Sequence, residues 1–333
     1  MGWLGDLLKK VAGADSKDMI FVSTLPPPGG SDTVPLVADE CYVTLYVESL
    51  RLERARKFTQ RFQGVVYTFV SLARRGDQKA ELAAVSKPEK LADLDSASLG
   101  KVITVSKQMM GTVPWRGGDF GIEIGLFSVK SGDLLTPVLN FVTKVSDTAG
   151  ISFVGAIKPF VPLITDGMAL LTGQQADTML EVGADTSLTL TGAVTCAIIA
   201  AEKGSIDPAK LSIDPADRKL LLDGRPLEKG FCVFSIRTTD RKPDFGEIPE
   251  LKEKFAGFRD AVDKGVEKDA RDALAAFRRA AILSPDLITA DARKLIATSE
   301  EMMKDAFAGG GIAENARAAG GPKTLAEVRL YDR

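Results

Sequence analysis

The sequence predicts an α+β fold: an antiparallel β-sandwich-like domain carrying a helical insertion, followed by a C-terminal helical module. Three observations predict it. Runs of alternating or β-branched residues recur from Cys41 to Ile236. Apolar residues then recur at spacings of three and four from Leu251 to Phe307, with acidic and basic residues between them. Strands and helices do not alternate regularly, as a parallel sheet would require.

Residues 1–20 read as an amphipathic helix. Trp3, Leu4, Leu7, Leu8 and Val11 form one stripe, with Asp6, Lys9 and Lys10 off it. Residues 21–38 read as a Pro/Gly linker, because Pro26 to Gly30 form a semi-rigid spacer that tethers the helix to the body. The β-rich domain is expected over 39–246. Its strands are expected at 41–47, 64–72, 101–105 and 120–127, and again at 186–190, 193–199, 219–222 and 231–236. Asp223-Gly224 is its strongest hairpin signal, since a type I′ turn needs positive φ at both central residues. The insertion is expected over 133–175. There Leu134, Leu135, Val138, Phe141, Val142 and Val145 share a helical face behind Asp133 as N-cap.

The helical module is expected over 247–308. Ser284-Pro285-Asp286 marks a second helix start inside it, and Gly309-Gly310-Gly311 ends it. Residues 309–333 read as a flexible tail. Ala273, Phe277, Ala280 and Pro285 resemble the second helix of a tetratricopeptide repeat. The resemblance covers one helix of one unit, and the preceding residues lack the Trp/Leu/Gly/Tyr pattern of a first helix. Ordinary packing of a helical bundle is therefore expected here.

Chemistry is narrowed by what the 333 residues lack. There is no histidine, which removes Ser-His and Cys-His nucleophile pairs, imidazole metal ligation and the usual neutral-pH proton carrier. Cys41, Cys196 and Cys232 are far apart in apolar, strand-like runs and read as buried thiols of a reducing compartment. No phosphate-binding glycine loop is found. Asp214/Asp217 and Asp240/Asp244 read as solvated turn acids, with a loop-built calcium site left open. No cofactor and no metal are expected. Ser98 and Lys101 have the SxxK spacing that a histidine-free hydrolase would need, but Gly100 weakens any helix there. Glu123 falls on the face opposite its apolar neighbours and reads as exposed.

Positive and negative charges nearly cancel, 43 against 45, so no global field recruits nucleic acid. One basic patch stands out, Arg51, Arg54, Arg56, Lys57 and Arg61, diluted by Glu48 and Glu53. The reading that follows is a non-enzymatic interaction or assembly protein, working through a protein partner or self-assembly. The first alternative is a peripheral membrane protein using Trp3, Leu4, Leu7, Leu8, Lys9 and Lys10 together with the basic patch. The second is the histidine-independent hydrolase. The apparent lack of a secretory leader points to the cytoplasm, with membrane association under the first alternative. Residue usage, rich in Ala, Gly, Asp and Arg and poor in Asn, points to a bacterial source.

Overall fold

The computed structural model describes residues 19–25, 34–53, 56–57, 60–74, 79–85, 103–130, 178–308 and 322–331. Among the described residues the fold is mixed α+β, with mostly antiparallel sheets and three helices in the C-terminal region. Residues 1–18, the expected insertion over 133–175 and Ser98/Lys101 lie outside the described residues.

The strands in chain order are β1 (Met19–Leu25), β2 (Tyr42–Arg51), β3 (Arg56–Lys57), β4 (Gln60–Ala73), β5 (Lys79–Val85), β6 (Ile103–Pro114), β7 (Phe120–Lys130), β8 (Thr178–Leu188) and β9 (Val194–Ala200). They continue with β10 (Leu211–Ile213), β11 (Leu220–Leu222), β12 (Arg225–Pro226) and β13 (Phe231–Thr239). The first five-stranded sheet has the order β1-β9-β13-β2-β6. The second has the order β3-β4-β7-β8, with β5 also paired to β4. A small third sheet is β10-β11-β12.

Period-two alternation decides which side chains meet. Val43, Leu45 and Val47 of β2, with Cys232, Phe234 and Ile236 of β13, belong to one apolar cluster with Val66 and Val70 of β4 and Ile122, Ile124 and Leu126 of β7. Both large sheets therefore share one core. On the other face of the first sheet, Ala197, Ile199, Phe231 and Val233 pack with Leu211, Leu220 and Leu227, so the small sheet covers one end of that face. Asp223 and Gly224, at φ 50° and 74°, turn β11 into β12 in the type I′ geometry that the Asp-Gly pair predicts.

Helices α1 (Pro249–Asp263), α2 (Glu267–Leu283) and α3 (Thr289–Phe307) bury Leu251, Phe255, Phe258, Leu274, Phe277 and Leu295 against one another. Gly265, at φ 71°, breaks α1 from α2 inside what reads in sequence as continuous periodicity. The Ser284-Pro285 start is displaced: α3 begins at Thr289, and the Ser284 hydroxyl instead accepts from the Asp286 backbone N–H at 3.2 Å. A buried polar junction ties the helices to the other end of the first sheet. Tyr42 and Tyr331 both donate to Asp291 Oδ2, at 2.6 and 2.5 Å. Lys242, with no exposed surface, donates from Nζ to the Thr112 carbonyl at 2.5 Å and pairs with Asp244 at 3.2 Å.

The expected linker over 21–38 fails at its start, because Met19–Leu25 is a strand paired to β9. The apolar run Ile20-Phe21-Val22 carries that strand, and the prolines after it obscure the signal. The expected mobile tail fails over 322–331, where Leu325, Val328 and Leu330 join the helical core. Gly246 permits this approach, since a Cβ there would lie 2.5 Å from Ala326 Cα. Strand β6 runs nine residues beyond its expected end at 105, and β5 is not foreseen at all. Glu123 is buried, not exposed, at 6%.

Candidate functional site

One cluster of buried and half-buried charge lies on the face of the first sheet that points away from the shared core. Its origin is a phase slip in β2. Val43, Leu45 and Val47 face the core, and then Leu50 and Leu52 do. Val47 pairs with Phe234 and Ser49 with Val233, so Glu48 has no partner residue on β13. On the other side Val47 faces Lys107 and Ser49 faces Thr104, and Ser106 within the skipped stretch has φ 41°. A bulge places two successive residues on one face. Glu48 and Ser49 thus stand beside Tyr46, and beside Ser235 and Arg237 of β13.

Glu48 is fully buried. Its Oε1 accepts from the Ser235 hydroxyl and from Arg237 Nη2, the latter at 2.5 Å, and its Oε2 accepts from Arg218 Nη1. Arg218 arrives from the loop between β10 and β11 with φ 58°. The Ser49 hydroxyl donates to its carbonyl at 2.7 Å, and its Nη1 also donates to Ser106 Oγ at 2.5 Å. Arg237 Nε donates to Ser235 Oγ at 3.2 Å, and its guanidinium carbon lies 4.0 Å from the centre of the Tyr46 ring. The two arginine side chains keep 27% and 32% of their surface exposed. A buried carboxylate requires paired charge and full hydrogen bonding, and Glu48 has both.

Thr195 lies directly across β9–β13 from Ser235. It has no exposed surface, and its Oγ1 has no hydrogen-bond partner among the described residues. In chemical terms the cluster offers donors. Both carboxylate oxygens already accept, and a guanidinium gives N–H groups but takes no proton.

In the polar junction with the helices Tyr42, Asp291 and Lys242 are buried, while Asp244 and Tyr331 are half-buried. Burial first, then the neighbouring Asp291 charge, holds the Tyr42 phenol far above its ordinary range. Burial also raises the Tyr331 phenol, and it pushes the Lys242 ammonium down against the opposing pull of Asp244 and Asp286. Burial pushes the Cys196 and Cys232 thiols up to about 12. All three cysteines are buried and unpaired.

Of the residues singled out in sequence, Trp3, Leu4, Leu7, Leu8, Lys9, Lys10 and Arg54 lie outside the described residues. Arg51 closes β2, and its Nη1 donates to the Leu227 carbonyl at 2.6 Å. Arg56 and Lys57 form β3, paired antiparallel with Arg61 and Gln60 of β4. Glu48, read in sequence as diluting the basic patch, is instead the centre of its own cluster. Asp214 caps its own turn at Ala216 N, and Asp217 pairs with Lys219. Among the described residues no group of three Cys, Asp or Glu could hold a metal, and no helix is long and apolar enough to cross a membrane.

Compared with family models, with curated proteins and with solved structures, the chain matches none.

Proposed function

We propose that this chain is a non-catalytic contact protein that works in an assembly, with the Glu48 face of its first sheet as the contact surface. One observation supports the reading above others. Two arginines are pinned from below by a buried carboxylate, and one of them is stacked on a half-buried tyrosine. Arginine and tyrosine dominate the energetics of protein interfaces, and side chains already held in place lose little entropy on docking. The cluster donates hydrogen bonds but holds no base free to move a proton, which suits binding better than turnover. In this reading the two large sheets form a sandwich-like body, with the small sheet and the helical module standing at either end of the contact face.

The test is light scattering of the purified full chain, with mass spectrometry of what co-purifies with it, comparing wild type with Tyr46→Ala. Circular dichroism checks that the variant folds. The expected result is a second copy or a different chain held in fixed proportion by wild type and lost in the variant. A strict monomer with the same co-purifying set in both proteins overturns the proposal.

A further inference from the structure

We infer that the Arg218–Arg237 pair is a docking point for a carboxylate carried by a protein partner, as an acidic side chain or a chain terminus. The inference rests on the contact-face reading above and names what that face recognises. Within the cluster two guanidinium groups meet one carboxylate, while Asp214 and Asp217 stand in the Arg218 turn, so the pair offers an incoming group directed N–H donors and no net positive field. Glu48 and the serines take Arg218 Nη1 and Arg237 Nη2 and Nε. Arg218 Nε and Nη2, and Arg237 Nη1, donate to no group among the described residues. They belong to side chains about a third exposed, so an incoming acceptor can reach them.

A planar carboxylate matches the guanidinium fork, and in the fold itself each of the two guanidinium groups already donates one N–H to the Glu48 carboxylate. The geometry is held before any ligand arrives: Arg237 by Ser235 and Tyr46, Arg218 by Ser49 and Ser106. A nucleic acid is the poorer match. Polyanion binding draws on rows of positive charge. Here Asp214 and Asp217 occupy the same turn as Arg218, Lys219 is paired with Asp217, and the whole chain is at −2.

The experiment titrates the full chain into rhodamine-labelled peptides and reads fluorescence anisotropy at low and moderate salt. The probes are hexaglutamate with a blocked C-terminus, hexaglutamine with a free C-terminus, hexaglutamine blocked at both ends, and a single-stranded oligonucleotide of similar length. Arg237→Lys keeps the charge against Glu48 and so preserves the fold. Arg271→Gln, on the exposed side of α2, is the control. At least one carboxylate-bearing peptide is expected to bind more tightly than the doubly blocked one, and the two arms separate side chain from terminus. Arg237→Lys should weaken that binding about fivefold or more, since the fork is lost, and Arg271→Gln should leave it unchanged.

Equal binding of all three peptides, indifference to Arg237→Lys, or tighter binding of the oligonucleotide that Arg237→Lys abolishes would each overturn the inference. If no peptide binds while Tyr46→Ala still disrupts the assembly, the contact face stands and the carboxylate inference alone falls. If neither variant changes anything, both fall.

Discussion

Replacing Glu48 by glutamine should destabilise the chain by about 3 kcal/mol, and the geometry sets that figure. Removing one member of a buried ion pair typically costs about 3–5 kcal/mol, because the partner is left charged and unpaired. Here both partners keep part of their surface in water, 27% for Arg218 and 32% for Arg237, so the lower end applies. Glutamine is isosteric and keeps one acceptor. Its amide donors, however, would face a cluster that supplies donors from both arginines. Unfolding entropy of roughly 2.1 cal/mol/K per residue over 333 residues converts the loss to a fall in Tm of about 4 °C. Urea denaturation of wild type, Glu48→Gln, Arg237→Met and the double variant completes a cycle, with an expected coupling of about 1–3 kcal/mol. A loss under about 0.5 kcal/mol for Glu48→Gln, or no coupling with Arg237, would refute the claim that this ion cluster organises the face.

Three further outcomes are expected. Thr195→Val should raise stability by about 1 kcal/mol, since it removes, at nearly constant shape, a fully buried hydroxyl that has no partner among the described residues; a loss of that size in thermal melts would show that the hydroxyl is in use. Alkaline pH should unfold the protein. The Cys196 and Cys232 thiols, at about 12 in the fold against 9.0 unfolded, contribute stability that is complete below pH 9 and lost as pH rises. That loss is about 3 kcal/mol apiece by pH 11, and the raised Tyr42 and Tyr331 phenols add to it above pH 10. An unchanged urea midpoint between about pH 8 and about pH 11 would contradict this sign. Gly246→Ala should displace the segment at Ala326 and cost about 1–3 kcal/mol, exposing residues 322–331 to limited proteolysis; the same protection of those residues as in wild type would show that the segment tolerates the added methyl.

Much of the fold is legible because local periodicity carries it. The alternation of Tyr42–Arg51 and Phe231–Thr239, the Asp223-Gly224 turn and the three-and-four spacing of the helices each reflect a local preference that tertiary packing does not overrule. What fails depends on distant partners. Met19–Leu25 becomes a strand because β9 offers an edge almost 180 residues away along the chain. Residues 322–331 are ordered by Tyr331 reaching Asp291 and Lys242, and by a glycine at 246 that nothing nearby in sequence requires. Half of the candidate site left a trace. In Val43-x-Leu45-x-Val47-Glu48-Ser49-Leu50 the apolar spacing changes from two to three, the mark of a bulge, and Ser235 and Arg237 alternate with apolar neighbours on β13. Arg218 left none, because its contact with Glu48 spans 170 residues.

That slip in spacing also explains why the face can be rigid. In a regular ladder Ser49 would turn into the shared core and Leu50 would lie among the charges, exchanging a buried apolar side chain for an unsatisfied hydroxyl. The bulge keeps Leu50 fully buried in the core and leaves Ser49 beside Glu48. Two adjacent residues of β2 then hold one incoming loop at two points, Glu48 gripping the Arg218 guanidinium and Ser49 its carbonyl. Those two attachments hold Arg218 at a positive φ that a side-chain-bearing residue rarely adopts unaided. Shortening β2 by deleting Ser49 would therefore remove more than one hydrogen bond. It would restore the ladder, release the β10–β11 loop and leave Glu48 with Arg237 and Ser235, so the variant should lose stability and the contact face together.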